Sequence, residues 1–593
     1  MQNRREFIKS LSLGIAALSL TGCKTGIAQA GKSKSYNKPN IIFIMADDMG
    51  YGDTTVYNPE SKIQTPRMEQ LSSEGITFTD AHSSAAWCIP TRYGLLTGRY
   101  HWREKRQGEL GYYGPPVIKS GRLTVGDLLQ QQGYTTACIG KWHLGMEWHM
   151  KDGSIIPNGR LNQQPRIDFT QPVTEGPLQR GFDYFFGTSS CTTDDPPLCF
   201  IENDRVIGGI PVEVPDHTDE NRLMYGLPGW KHEDADIEFT KKSIAFIDTH
   251  VKEKPNTPFF LYLALSVPHV PWFPPDMVKG KSAAGARGDQ VVLADWSLGQ
   301  VLDTLERLNL REETLIIFTS DNGPRPGVNG HSSSGNWRGY KQDLWEGGHR
   351  MPFIARWPGK IKPGTRSDET LCHTDMMATI AAIMSVDLPE DAGEDSFNML
   401  PVLLDEPRDK PIREAIVSRA GTDALAIRQG DWKLILGRPR RRRQADKVED
   451  TKAPADVPSL AGKTIKADIF TFSFKKDGVV DIVARPEDLQ EGKEFEEIQG
   501  QYEQDGEKVT MWLGDAGRTA TYDGKDFELL EPGFEDSAPR VEEESNSMNS
   551  GQLYNLKNDP GEKNNLWDRH PDVVERLTKL LEKYKKQGRS RPI

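Results

Sequence analysis

Cys88, Pro90 and Arg92 alternate at the start of the stretch Cys88-Ile89-Pro90-Thr91-Arg92-Tyr93-Gly94-Leu95-Leu96-Thr97-Gly98-Arg99. Proline fixes φ near the helical value and lacks an N–H, so it suits the first turn of a helix. That places Cys88 at a helix N-terminus. Unpaired N–H groups and the positive end of the helix dipole converge there on anything anionic, which is where a sulfate or phosphate is held. Arg92, four residues on, lies on the same face and can reach back to an oxyanion. From these two residues alone the plainer reading is a buried free cysteine beside a surface arginine.

Other chemistry-bearing residues stand at the ends of apolar runs. Pro39 to Ala46 reads as a strand buried on both faces and ends in Asp47-Asp48. Charged residues after such a strand fall at the carboxyl edge of a sheet, where open α/β folds place ligands. Adjacent carboxylates repel unless a cation or bound protons offset them, so a hard divalent metal is one reading and a solvated turn the other. The strand Thr314 to Thr319 ends in Ser320-Asp321-Asn322-Gly323, and two such ends side by side make a four-oxygen site from Asp47, Asp48, Asp321 and Asn322. The strand Thr135 to Ile139 leads into Gly140-Lys141-Trp142-His143-Leu144-Gly145. Period-two spacing points Lys141 and His143 to one side, a pairing suited to anion binding and proton transfer. Pro258 to Leu265, a further buried strand, delivers Pro268-His269.

In order along the chain, these blocks, with Asn336-Trp337-Arg338-Gly339-Tyr340-Lys341 and Trp345-Glu346-Gly347-Gly348, resemble the type I sulfatases of the alkaline phosphatase-like superfamily. The resemblance covers about residues 39–437 and 552–593. It implies that Cys88 is oxidised to formylglycine (3-oxoalanine) by a formylglycine-generating or anaerobic maturase enzyme. It further implies Ca2+, with Mg2+ as the alternative, held by Asp47, Asp48, Asp321, Asn322 and the modified Cys88. Arg92, Lys141 and Lys341 would then surround a sulfate, His269 with Lys341 would protonate the leaving oxygen, and His143 would assist release of sulfate from the formylglycine. The reaction implied is sulfuric ester hydrolysis on a sulfated oligo- or polysaccharide. A phosphomonoester or phosphonate hydrolase of the same superfamily and a non-catalytic glycan-binding lipoprotein are the alternatives.

Helix-period segments over Thr65–Gly75, Leu123–Gly133, Glu233–Val251 and Asp289–Leu308 alternate with the strands. Together with the resemblance they give an α/β fold with a large, mostly parallel sheet flanked by helices. From Glu414 the pattern changes to antiparallel-type strands, closing with Leu553–Leu566 and a helix to Lys586. The expected organisation is a leader at 1–22, a tether at 23–38, a catalytic domain at 39–410 and a C-terminal antiparallel subdomain at 411–593. Strand-like pieces at Ile469–Phe474, Val479–Ala484 and Val509–Leu513 suggest a β-rich insertion at about 438–551, preceded by Arg438 and Arg440 to Arg443. That arginine run reads as a solvated face or as a contact for a sulfated polymer. Residues 147–232 hold few regular signals and many Pro, Gly and Asp, the pattern of a substrate-facing loop. Asp194 and Asp195 within it are candidates for binding substrate, as is His331 in a Gly/Ser-rich loop, where a solvated histidine is the alternative.

Length and composition agree. A chain of 593 residues exceeds one ordinary core, and no stretch after the N-terminus has the roughly 20 apolar residues of a membrane span. Arg4-Arg5 with the short apolar run Leu11–Leu20 reads as a twin-arginine leader, and Leu20-Thr21-Gly22-Cys23 resembles a bacterial lipobox. Cys23 would then carry lipid, anchoring an exported protein in the bacterial envelope, in the periplasm or at the cell surface. Removing residues 1–22 takes away Arg4, Arg5 and Lys9 against Glu6, so the formal charge goes from −12 to −14 and no nucleic-acid partner is expected. Cys138 and Cys372 read as core, while Cys191 and Cys199 could close a short loop, a bond that spacing does not establish.

Overall fold

The strand Asn40–Ala46 is buried along its whole length because both of its faces are covered. Ile41, Phe43 and Met45 pack into one apolar layer, and Ile42, Ile44 and Ala46 into the other. Successive side chains of a strand point to opposite faces, so an unbroken apolar run requires a roof on both sides. The structure, a computed structural model, describes residues 38–592 apart from 105–112, 157–160, 216–222, 421–423, 438–463, 468–469, 475–478, 485–497, 506–507, 514–515, 523–526 and 530–550. The leader, Cys23, nearly all of the tether and the arginine run at 438–443 lie outside the described residues.

Ten strands form the main sheet, in the order Thr365–Ser367, Ile76–Phe78, Phe353–Arg356, Thr314–Ser320, Asn40–Ala46, Phe259–Ala264, Thr135–Lys141, Tyr184–Thr188, Phe200–Glu202, Arg205–Ile207. The five from Thr314–Ser320 to Tyr184–Thr188 are all parallel. Antiparallel pairs extend the sheet on each side. The helices Cys88–Thr97, Val125–Gln131 and Met376–Met384 cover one face. Pro66–Ser73, Ala235–Glu253 and Gly285–Arg307 cover the other. This is the expected α/β architecture.

The stretch 147–232 departs from expectation. It is not one irregular loop, since Tyr184–Thr188 is an inner parallel strand and Phe200–Glu202 and Arg205–Ile207 continue the sheet. A further hairpin pairs Val212–Pro215 with Leu223–Gly226. Each strand is only three to five residues long and flanked by Gly, Pro and Asp, so little periodicity survives to be read.

Beyond the main sheet, four antiparallel strands, Ile416–Arg419, Leu425–Gln429, Trp432–Leu436 and Gln552–Asn555, make a second sheet. The helix Pro571–Gln587 lies on it through Val573, Leu577, Leu580, Leu581 and Tyr584, one stripe at helical spacing. Trp432–Leu436 and Gln552–Asn555 are direct neighbours, so everything between them is an elaborated hairpin connection. That connection holds a seven-stranded antiparallel sheet, from Thr464–Ala467 to Phe527–Leu529, with each strand paired to the next.

Candidate active site

Register puts the chemistry at one edge. Ala46 lies opposite Ser320, Met45 opposite Ala264, Ala264 opposite Gly140, and Lys141 opposite Thr188. The residues that follow each strand therefore emerge together at the carboxyl edge of the parallel block, the ligand edge of open α/β sheets. Backbone bonds tie them, Asp321 N donating to Ala46 O at 3.0 Å and Asp47 N to Val267 O at 3.0 Å. The helix that begins at Cys88 points its N-terminus at this edge, and all ten of its residues are buried.

The two acidic strand ends and the cysteine meet. Cys88 Sγ is 3.6 Å from Asp47 Oδ1. Asp48 N donates to Asp321 Oδ1 at 3.1 Å, and Asn322 Nδ2 to Asp48 Oδ1 at 2.7 Å. Asp48 adopts a left-handed backbone, φ 63°, a conformation rare for a non-glycine residue and worth noting at a functional edge. Arg92 spans the pair, donating to Asp321 Oδ2 at 2.9 Å and to Asp47 Oδ2 at 3.4 Å. Lys141 Nζ contacts Asp47 Oδ2 and lies 3.0 Å from Cys191 Sγ. Lys341 Nζ lies 2.7 Å from Asp48 Oδ1. His269 donates from Nδ1 to the Val270 carbonyl at 2.6 Å, which leaves Nε2 facing the site, 3.8 Å from Asp48 Oδ2.

Burial and charge set the ionisation. Burial alone would raise Asp47, but the charges of Lys141, His269 and Arg92 hold its carboxyl well below the usual range. Asp321 is pushed up to about 6, first by burial and then by the Asp47 charge. His269 falls to about 4, through burial and then the Lys341 charge. Burial, then Lys141 and Arg92, hold His143 well below the usual imidazole value. The Cys88 thiol is raised by burial, so it is no thiolate nucleophile in this form.

The oxygen donors suit a hard divalent cation. Three carboxylates and one amide converge, and Asn322 Oδ1 is buried without a hydrogen-bond partner. Asp47, Asp48, Cys88 and His269 also bring their ligand atoms within 4.8 Å of one another. Ca2+ or Mg2+ held by Asp47, Asp48, Asp321 and Asn322 would relieve the carboxylate repulsion.

Asp194 and Asp195, in the loop after Tyr184–Thr188, are brought to the same edge. Asp195 Oδ2 is 3.8 Å from His143 Nε2. Asp194 is pushed up to about 7 by burial and then by the Asp195 charge. His331 is a correction. It is buried, 5% exposed, with Nε2 2.9 Å from Asp53 Oδ1. Asp53 in turn is bound by Arg287, which also donates to the Asp48 carbonyl at 3.2 Å. His331 is thus part of the support behind Asp48 and not a solvated loop residue. Cys191 and Cys199 are both buried free thiols, so the loop is not closed by a disulfide.

Two features escaped sequence reasoning. Cys191 reaches Lys141 and His269 Nε2, the latter at 3.8 Å. Asp236 accepts from Ser266 N at 2.8 Å, and Thr192 donates to Ser266 Oγ at 3.0 Å, so one buried carboxylate braces both the His269 loop and the Cys191 loop. The only signal was Asp236 near the start of a helix, too common to notice.

A family model described as Sulfatase matches residues 39–386, more than half of the chain, and the protein belongs to the sulfatase family of the alkaline phosphatase-like superfamily. It is an enzyme of that family. It is 31% identical to an N-acetylgalactosamine-6-O-sulfatase of Bacteroides thetaiotaomicron, over 96% of this chain and 97% of that one. An N-acetylgalactosamine-6-sulfatase of Mus musculus is 30% identical over 67% of this chain and 71% of its own. A solved structure from work on glycosaminoglycan metabolism by Bacteroides thetaiotaomicron is 30% identical, with a TM-score of 0.66, covering 93% of this chain and 99% of that chain.

Proposed function

We propose that this sulfatase removes a 6-O-sulfate from an N-acetylhexosamine unit of a sulfated oligo- or polysaccharide, using formylglycine made from Cys88 and a calcium ion. The observation that carries the chemistry is the convergence of Cys88, Arg92, Lys141, His269 and Lys341 on the Asp47, Asp48, Asp321 and Asn322 cluster. The sugar reading is supported by similarity along nearly the whole chain to the Bacteroides N-acetylgalactosamine-6-O-sulfatase.

A sulfate monoester needs a nucleophile, positive potential round three oxygens and a proton for the departing alcohol. A thiol would leave a sulfur-bound adduct with no easy internal exit. The hydrate of formylglycine supplies two hydroxyls, one to attack sulfur and one to expel sulfate, while a bound divalent cation favours ionisation of the first. The chain's own groups do the remainder. Arg92, Lys141 and Lys341 are fixed by Asp321, Asp47 and Asp48 and need no reorganisation to meet an anion. His269, with its tautomer set by the Val270 carbonyl, presents Nε2 as the atom that carries a proton to the leaving oxygen. An anionic ester between Lys141 and Lys341 offsets the positive surroundings that depress His269. His143, held close to Asp195, is placed to move the proton during sulfate release.

Sulfate release from a panel of sulfated saccharides tests this. The expected preference is for 6-O-sulfated N-acetylgalactosamine ends over 4-O- and 2-O-sulfated ones, and for sulfate over phosphate esters. Parity with phosphate esters would overturn the sulfate reading, and a preference for another sulfated position would overturn the sugar reading alone. We also propose that Cys23 carries a lipid anchor, supported by the Leu20-Thr21-Gly22-Cys23 sequence. The full chain is expected in the membrane fraction and Cys23→Ser in the soluble one; equal partition would exclude the anchor.

A further inference from the structure

Beside the oxygen cluster lies a set of donors of different softness. The ligand atoms of His143, Cys191 and Asp195 are all within 4.8 Å of one another, and those of Cys191, Asp194 and His269 meet the same limit. Within the first set His143 Nε2 is 3.8 Å from Asp195 Oδ2, an oxygen that also accepts from Cys191 N at 3.2 Å, and in the second Cys191 Sγ is 3.8 Å from His269 Nε2. His143 also has Nδ1 buried without a hydrogen-bond partner. Cys191 is a free thiol, 4% exposed. Among the described residues Cys138, Cys199 and Cys372 join no such cluster.

We propose that Cys191, His143 and Asp195 form a second cation subsite, selective for a borderline or soft divalent ion of the zinc class, and that its occupation switches the enzyme off. Thiolate, imidazole and carboxylate are a zinc donor set, whereas the neighbouring aspartates and Asn322 present only oxygen and select calcium or magnesium. Binding forms a metal–sulfur bond and breaks the S–H bond, with the proton released to solvent; nothing is oxidised or reduced. The thiolate and the Asp195 carboxylate balance the ion's two charges. Burial and then the Asp195 charge keep Cys191 a thiol until a metal arrives; Lys141 Nζ, 3.0 Å from Sγ, steadies the thiolate that metal binding forms and keeps Asp47 as its partner. Asp194 and His269 lie on the other side of Cys191, with ligand atoms within 4.8 Å of it. Occupation withdraws His143 from proton transfer and crowds His269 Nε2, so turnover stops with the calcium site untouched. The subsite rests on the geometry of these side chains and is independent of which sugar is cleaved.

Cobalt(II) reports a thiolate ligand by its charge-transfer absorption, and Cys88→Ser removes the other thiol at the site. With calcium saturating, Cys88→Ser is expected to bind one equivalent of Co2+ with that band, and Cys88→Ser/Cys191→Ser to lack it. Asp195→Asn, which keeps the thiol, is expected to weaken Co2+ and Zn2+ at least about tenfold, the lower end of what losing even an outer-shell partner costs. In the mature enzyme, Zn2+ is expected to inhibit and a chelator that prefers soft metals to restore activity. Absence of the band, its persistence without Cys191, or zinc inhibition unchanged in Asp195→Asn would overturn the subsite.

Discussion

Cys88→Ala is expected to fold normally and to release sulfate at least about 1,000-fold more slowly than the mature enzyme, the scale of losing a group that acts as part of a unit. Sulfate release at saturating substrate and calcium, beside a matching circular dichroism spectrum, reads both halves. Folding should survive because the change removes one buried sulfur from a helix start held by other contacts. Trp87 O accepts from Thr91 N at 3.2 Å, and Ala86 N donates to Arg419 O at 2.8 Å, neither involving the side chain. Activity should not survive, because Arg92, Lys141 and Lys341 orient an anion but none can attack sulfur. Cys88→Ser separates two accounts of the loss. A serine hydroxyl can attack once, yet it has no second hydroxyl on the same carbon to expel sulfate. At most one sulfate should be transferred per chain, detectable as a single mass addition on the Cys88–Arg92 peptide. Sustained turnover by either variant would remove Cys88 from the chemistry.

Much of this site is legible in sequence because its parts are local. A strand that ends in Asp47-Asp48, another that ends in Asp321-Asn322, and a helix that opens on Cys-x-Pro-x-Arg each announce themselves within a few residues. Parallel register then brings the ends together without further information. What is hidden depends on partners far along the chain. His331 looks like a loop histidine until Asp53, 278 residues away, accepts it. Cys191 looks like half of a disulfide until Lys141 and His269 are found beside it. Tyr184–Thr188 joins the parallel block because Thr135–Lys141 offers it an edge, and five residues between Gly181-Phe182-Asp183 and a Ser-, Thr- and Asp-rich loop carry no such instruction.

The least legible feature is also a strong stabilising contact, and replacing Lys433 by Met is expected to cost about 3–5 kcal/mol at pH 8, the range for removing one partner of a buried ion pair. Lys433, on the second sheet, is 1% exposed and lies 2.9 Å from Glu346 Oε1, 2.9 Å from Glu562 Oε1 and 3.1 Å from His349 Nε2. Glu562 also accepts from Glu346 N at 2.6 Å. Two buried carboxylates from opposite sides of the contact between sheets therefore share one ammonium, with Arg350 on the far oxygen of Glu346 at 2.7 Å. Burial, and then the Glu346 charge, push the Glu562 carboxyl up to about 7 against the lowering by Lys433. A carboxyl raised above its unfolded value of about 4.3 stabilises the fold fully below that value, and the contribution is lost as pH rises through the folded value. Without Lys433 that folded value rises further, so the cost should grow from pH 6 to pH 8. Denaturant midpoints of Lys433→Met at the two pH values measure it; a cost independent of pH would mean that lost packing, and not uncompensated charge, dominates. The consequence reaches the site. Glu346 opens the turn whose Gly348 carbonyl accepts from Gly323 N at 2.9 Å, next to Asn322. The same second sheet supplies Arg419 to the backbone before Cys88. The C-terminal subdomain is thereby part of the wall that holds both the cysteine and the oxygen cluster, and loosening it at high pH should loosen that cluster before the main sheet unfolds.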